Sequence, residues 1–144
     1  KAVQSAEFIH SVDSIKLLEK INKASCANGK IARILLEINV SGEESKFGLR
    51  DESKIFDIVS KTVDFRQIEF RGLMTMAPYG AEEIELRNIF SRLRLMGEKI
   101  SSSFGLGRLE LSMGMSSDYV IAVEEFASMI RVGTGIFMEK SQQN

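Results

Sequence analysis

The chain has one cysteine, one histidine, one proline, no tryptophan and almost no net charge, and most of these shortages close off a class of function. Cys26 has no intrachain partner for a disulfide, and with His10 as the lone histidine the usual zinc ligand sets are unfilled. A reducing, cytosolic setting is the expectation. Nineteen basic against twenty acidic residues leave a formal charge of −1, so no net field draws nucleic acid or an anionic membrane. An anionic ligand must then be held by local groups. No window approaches the roughly 20 apolar residues of a membrane span. Lys1-Ala2-Val3-Gln4 does not open a secretory signal. Neither a P-loop nor a G-x-G-x-x-G run occurs, which argues against a nucleotide site.

What is present suits one globular domain: 144 residues, 44% of them apolar and 27% charged. Phe8-Ile9-His10-Ser11-Val12 reads as the end of a strand. Ser11 or Asp13 can then cap a helix carrying Ile15, Leu18, Ile21 and Ala24 on one face, stopped at Asn28-Gly29. Ile31 to Val40 is rich in branched apolar residues, as a strand buried in a parallel sheet should be. Asp51 caps a helix with Ile55, Phe56, Val59 and Val63 inward. From Ile68 to Met76 the residues alternate, with Ile68, Phe70, Gly72, Met74 and Met76 on one side of a strand. Pro78 and Gly80 mark a loop, and Leu86, Ile89, Phe90, Leu93 and Met96 form the inner face of the next helix. The last strands are LELSMG (Leu109 to Gly114) and MIRVG (Met129 to Gly133). The helix between them is expected to turn Val120, Val123 and Phe126 inward, and a polar tail begins at Lys140. Strict strand and helix alternation predicts an α/β fold with a parallel sheet. That sheet is either an open, flavodoxin-like one or the last five strands of a (β/α)8 barrel with four or five helices. The abrupt beginning favours the barrel, with roughly 100 residues expected upstream.

Ligands sit at the carboxyl ends of such strands, so the informative residues are those where each strand turns polar. Met115-Ser116 and Gly133-Thr134-Gly135 supply hydroxyls and approachable backbone N–H groups at the ends of the last two strands, where barrels often hold phosphate. The alternative for these residues is ordinary turn and cap chemistry. Arg131 is a cation inside an apolar strand and needs a partner: a ligand nitrogen, a carbonyl, or an ion pair with Glu110 or Glu124. Asn39 and Lys46 lie where a strand opens into a polar loop, and Met74, Met76, Met113 and Met115 form either an apolar wall beside a ring or core filler. His10 reads as a hydrogen-bonded structural residue rather than a base, since no nucleophile is placed with it.

The segments IHSVDS, INVSGEESKFG, RGLMTMAP, LSMGMSSDY and IRVGTGIF, in this order, resemble the YggS/PROSC family of pyridoxal-phosphate-binding homeostasis proteins. The resemblance implies a barrel similar to the N-terminal domain of alanine racemase, with residues 1–144 forming part of one such domain. It also implies pyridoxal 5′-phosphate (PLP) as cofactor and a role without established turnover, in which PLP is carried or delivered, with PLP-requiring apo-enzymes as possible recipients. By motif, Ser116 with the backbone at Met115, Gly133 and Thr134 would hold the phosphate, and Arg131 would face the pyridine nitrogen. Asn39, Lys46 and Met74 would lie near the cofactor. The family's Schiff-base lysine, on the first strand in a segment like A-V-S-K, has no counterpart here and is expected upstream. Met138 stands where the family usually has glycine. A racemase or decarboxylase of the same barrel is the alternative; such enzymes carry a further β-domain, for which few residues follow Phe137.

Overall fold

The computed structural model describes residues 1–43 and 47–137. In chain order the elements are α1 (Ala2–Ser5), β1 (Phe8–Val12), α2 (Ile15–Asn28), β2 (Ala32–Glu37), α3 (Glu52–Lys61), β3 (Ile68–Met74), α4 (Glu83–Phe104), β4 (Glu110–Met115), α5 (Tyr119–Glu124), β5 (Met129–Arg131) and α6 (Thr134–Phe137). A 3₁₀ turn over Thr62–Asp64 follows α3. All five strands are parallel, and their order in the sheet is the order of the chain. A doubly wound sheet reverses its strand order at a switch point. This one does not reverse, so it is an arc of a barrel and not a flavodoxin-like sheet.

The apolar core lies between the arc and its helices. Ile34 and Leu36 of β2, Leu73 of β3, and Leu111 and Met113 of β4 pack there with Leu18, Ile55, Phe90 and Leu93 from the helices. Ser14, not Ser11 or Asp13, caps α2: β1 runs through Ser11, and the Ser14 hydroxyl accepts from the Leu17 N–H while donating to Asp13. Gly29, at φ 61°, closes that helix as expected, and Asp51 caps α3. Val63 is exposed, because the 3₁₀ turn carries it off the inner face of α3; Ile58 fills that place. Among the described residues no helix is long and apolar enough to cross a membrane.

The alternation expected along β3 is broken by a bulge. Phe70 pairs with Ile34, but Gly72 pairs with the next residue, Leu35, leaving Arg71 as the extra residue. Ile68 and Phe70 therefore pack towards the helices below the bulge, and Leu73 does so above it. Met74 is thereby placed on the opposite face. The inner face expected for α5 is also corrected. Val120, Val123 and Phe126 are more than half exposed, while Ala122 is buried and Ile121 packs on the core. The physical reason is proximity: a Cβ on Gly114, at φ 93°, would lie 2.6 Å from the Ala122 Cβ, so only a small residue fits between β4 and the helix.

The tightest approach in the sheet is at Gly72, where a Cβ would fall 2.0 Å from the Glu110 carbonyl oxygen. Gly72→Ala is therefore expected to cost on the order of 3 kcal/mol. Gly107→Ala, where a Cβ meets nothing within 4 Å, is the control and should melt with the parent. Thermal unfolding of the two variants checks this, and equal melting temperatures would refute the close approach of β3 and β4.

Candidate functional site

The face of the sheet turned away from the helices carries the polar residues that the core cannot accept. Register sets them in rows: Leu36, Leu73 and Leu111 form a row facing the helices, and Glu37, Met74 and Ser112, one residue further on, form the next row on the other face. Arg131 reaches into this row from β5. Its Nη1 donates to Ser112 Oγ at 2.7 Å and its Nη2 to the Thr75 carbonyl at 3.0 Å. The Thr75 hydroxyl in turn donates to the Ile38 carbonyl at 2.7 Å. Neither ion pair considered for Arg131 forms: Glu110 lies 4.0 Å from Arg71, and Glu124 pairs with Arg87. Burial lowers the pKa of Arg131, and the charges of Asp118 and Glu37 partly restore it; a guanidinium remains protonated in such a setting.

Ser112 is the hub, and reading the sequence missed it. Fully buried, it stands 2.9 Å from His10 Nδ1 while accepting from Arg131. Ser112 Oγ accepts from the donor-only guanidinium, and its second lone pair and its own proton leave the hydrogen bond with His10 Nδ1 open to either direction, set by the imidazole tautomer. The His10 pKa is lowered by burial and then by the Arg131 charge, which favours the neutral imidazole. A lone hydroxyl within the apolar run of β4 was the signal available. Glu37 was missed too: it is buried, its carboxylate has no hydrogen bond or ion pair among the described residues, and its pKa is raised by burial and by Asp13 against an opposing effect of Arg131.

Beside this network the loops after β4 and β5 meet. Asp118 Oδ1 accepts from the Met115 N–H at 2.6 Å and turns the chain. Ser116 Oγ accepts from the Gly135 N–H at 3.1 Å, joining the two loops. A Cβ on Gly135 would lie 3.1 Å from Val132 and 3.5 Å from Ser116 Oγ, so glycine permits that closeness. Gly133 and Thr134 are exposed; a Cβ on Gly133 would meet nothing within 4 Å. Met115, Ser116, Arg131, Gly133 and Thr134 are thus brought together at one end of the sheet.

The remaining expected residues fare differently. Met74 is buried between Glu37 and Ser112 in the same row. Asn39 is occupied with its own loop, Oδ1 accepting from the Ser41 hydroxyl and the Gly42 N–H and Nδ2 donating to the Glu43 carbonyl. The four methionines do not form one wall, because Met113 packs with the helices and Met76 is exposed. Lys46 lies outside the described residues, as do Met138 and the tail from Lys140.

The donor set can be tested against a phosphorylated pyridine. The Ser116 hydroxyl accepts one hydrogen bond and keeps its proton, and the Thr134 hydroxyl makes no hydrogen bond among the described residues. Two O–H donors are therefore free for an anion. Arg131 Nε is also unspent and is not sealed from solvent. A donor-only group of this kind suits a pyridine nitrogen acting as acceptor. The residues present fit the group.

Known proteins share the sequence pattern and the fold. The family model for the N-terminal domain of alanine racemase matches residues 1–141. The pyridoxal phosphate homeostasis protein of Aquifex aeolicus is 34% identical over 133 residues, covering 92% of this chain and 58% of that protein. The human protein of that name is 34% identical over 144 residues, covering 96% and 52%. The chain thus spans little more than half the length of these relatives. Among solved structures, PipY of Synechococcus elongatus with PLP bound aligns at a TM-score of 0.83 and 33% identity, over 95% of this chain and 63% of that one. Alanine racemase of Clostridium difficile, 14% identical with a TM-score of 0.76, shares the fold. On the match over nearly its whole length, the chain belongs to the alanine racemase N-terminal domain family.

Proposed function

We propose that the protein containing this chain binds PLP and serves PLP homeostasis in the cytoplasm without turnover of its own, supplying PLP-requiring apo-enzymes. Residues 1–144 would form part of a single barrel domain. The observation that carries this reading is the meeting of the two loops through Ser116 and Gly135 directly beside the half-buried Arg131. An anion and a ring attached to it can be met there by adjacent groups. The relatives' names and the PLP-bound PipY structure support the choice of PLP as that ligand.

In this proposal the phosphate is held by the Ser116 and Thr134 hydroxyls and by the backbone at Met115 and Gly133. Arg131 faces the pyridine nitrogen, with its orientation fixed by Ser112 and the Thr75 carbonyl. Met74 lies under the ring end of the site, Asn39 shapes the neighbouring loop, and Lys46 is assigned to the site by its place in the sequence motif alone. PLP supplies, when bound, an aldehyde carbon that condenses with amines and a ring that withdraws electrons from it. A permanent cation at the ring nitrogen disfavours protonation there, which weakens electron withdrawal. A ring that withdraws electrons less strongly suits a protein that holds PLP without turning over substrate.

Thr134→Val exchanges a hydroxyl for a methyl group at nearly equal volume. Loss of that hydrogen bond is expected to weaken PLP binding by about 1–3 kcal/mol. Equilibrium dialysis of the full-length protein measures it, and unchanged affinity would remove Thr134 from the site. His10 gives a second test. Because its folded pKa is lowered, its neutral form stabilises the fold fully above the ordinary value of 6.5, and this contribution is lost as the pH falls from there through the lowered folded pKa. The His10 ring protons should titrate below the ordinary midpoint in NMR spectra, and His10→Gln should flatten the fall in melting temperature between pH 7.5 and 5.5. A midpoint at or above the ordinary value would contradict the neutral assignment.

A further inference from the structure

A cavity of about 400 Å³ lies on the helix side, at the end of β4 remote from the loops described above. Its walls are α4, the segment leading into β4, and the turn after α5. Since β4 is hydrogen-bonded on both sides, to β3 and to β5, the cavity does not sit at an open edge of the sheet.

Phe126 is the first reason to assign it a ligand. The turn after α5 closes with the Phe126 N–H on the Val123 carbonyl and the Ala127 N–H on the Ala122 carbonyl. A closure of this form normally places glycine at the left-handed position. Here phenylalanine holds φ 71°, the one described non-glycine residue at positive φ, and the residue is 61% exposed. The strain is therefore not offset by burial in the core. Strained positions of this kind gather at ligand sites.

The charges give the second reason. The Arg94 guanidinium stands 5.7 Å from the Phe126 ring centroid and pairs through Nη1 with Glu98 at 2.8 Å. Its Nε is sealed from solvent without a partner. Arg108, exposed on the same wall, has no ion pair or hydrogen bond among the described residues. Two guanidiniums face one carboxylate, so the cavity keeps one positive charge in excess, while Leu109 and Leu111 provide an apolar floor.

We propose that this cavity binds a small organic anion bearing a flat apolar group. Its carboxylate lies between Arg94 and Arg108, and its apolar part lies against Phe126, Leu109 and Leu111. The site is separate from the PLP site and independent of it.

The test titrates the full-length, PLP-loaded protein with 3-phenylpropionate, followed by calorimetry. Saturable binding is expected, weakened at least about fivefold by Arg108→Gln, by Phe126→Gly, and by replacing the probe with its neutral amide. Phe126→Gly should melt no lower than the parent, because glycine relieves the backbone while removing the ring. PLP affinity, measured in parallel, should be the same in all three proteins. Absence of saturable binding, equal affinity in both variants, or equal affinity for the amide or for inorganic phosphate would overturn the proposal.

Discussion

A half-buried guanidinium is the constraint around which the site end of the sheet is arranged. Arg131 leaves water to stand among β3, β4 and β5, and the cost of doing so is recovered only if its donors find oxygens there. Ser112 and the Thr75 carbonyl are those oxygens, and Asp118 and Glu37 supply the compensating charge. Slipping β5 against β4 by one residue would turn Arg131 towards the helix core and leave the charge unpaired. One charged side chain thereby helps to fix the register of strands that otherwise differ little in apolar character. His10 extends the network across the sheet to β1 through the same Ser112 hydroxyl, and burial and the Arg131 charge together lower its pKa.

Close approach is the complementary device. Gly72 lets β3 press against Glu110, and Gly114 lets α5 press against β4 so closely that Ala122 is the residue facing it. The second contact helps to keep α5 short, and a short helix brings the loops after β4 and β5 near enough for Ser116 to meet the Gly135 N–H. At its other end the same short helix closes on Phe126, and there it leaves the outer cavity beside α4 only partly covered.

Much of this was open to a reader of the sequence. Polar and small residues at strand ends marked Ser116, Gly133 and Thr134, and an arginine in an apolar strand marked Arg131, because both patterns break the rule that buried strands are apolar. Ser112 and Glu37 carry the same kind of signal, but each is a single residue in an apolar run. Their meaning depends on which neighbour the register brings opposite.

The sequence by itself determined the parallel α/β architecture, the order of its elements and the residues that end each strand, since these follow from local periodicity and turn chemistry. Only the tertiary structure decided between an open sheet and an arc of a barrel, because strand order is a property of pairing. It also decided the faces of β3 and α5, where a one-residue bulge and the contact between Gly114 and Ala122 overrode the local pattern. Finally, it decided that Arg131 is answered by Ser112 and a backbone carbonyl rather than by Glu110 or Glu124, a choice that rests on distances no linear spacing encodes.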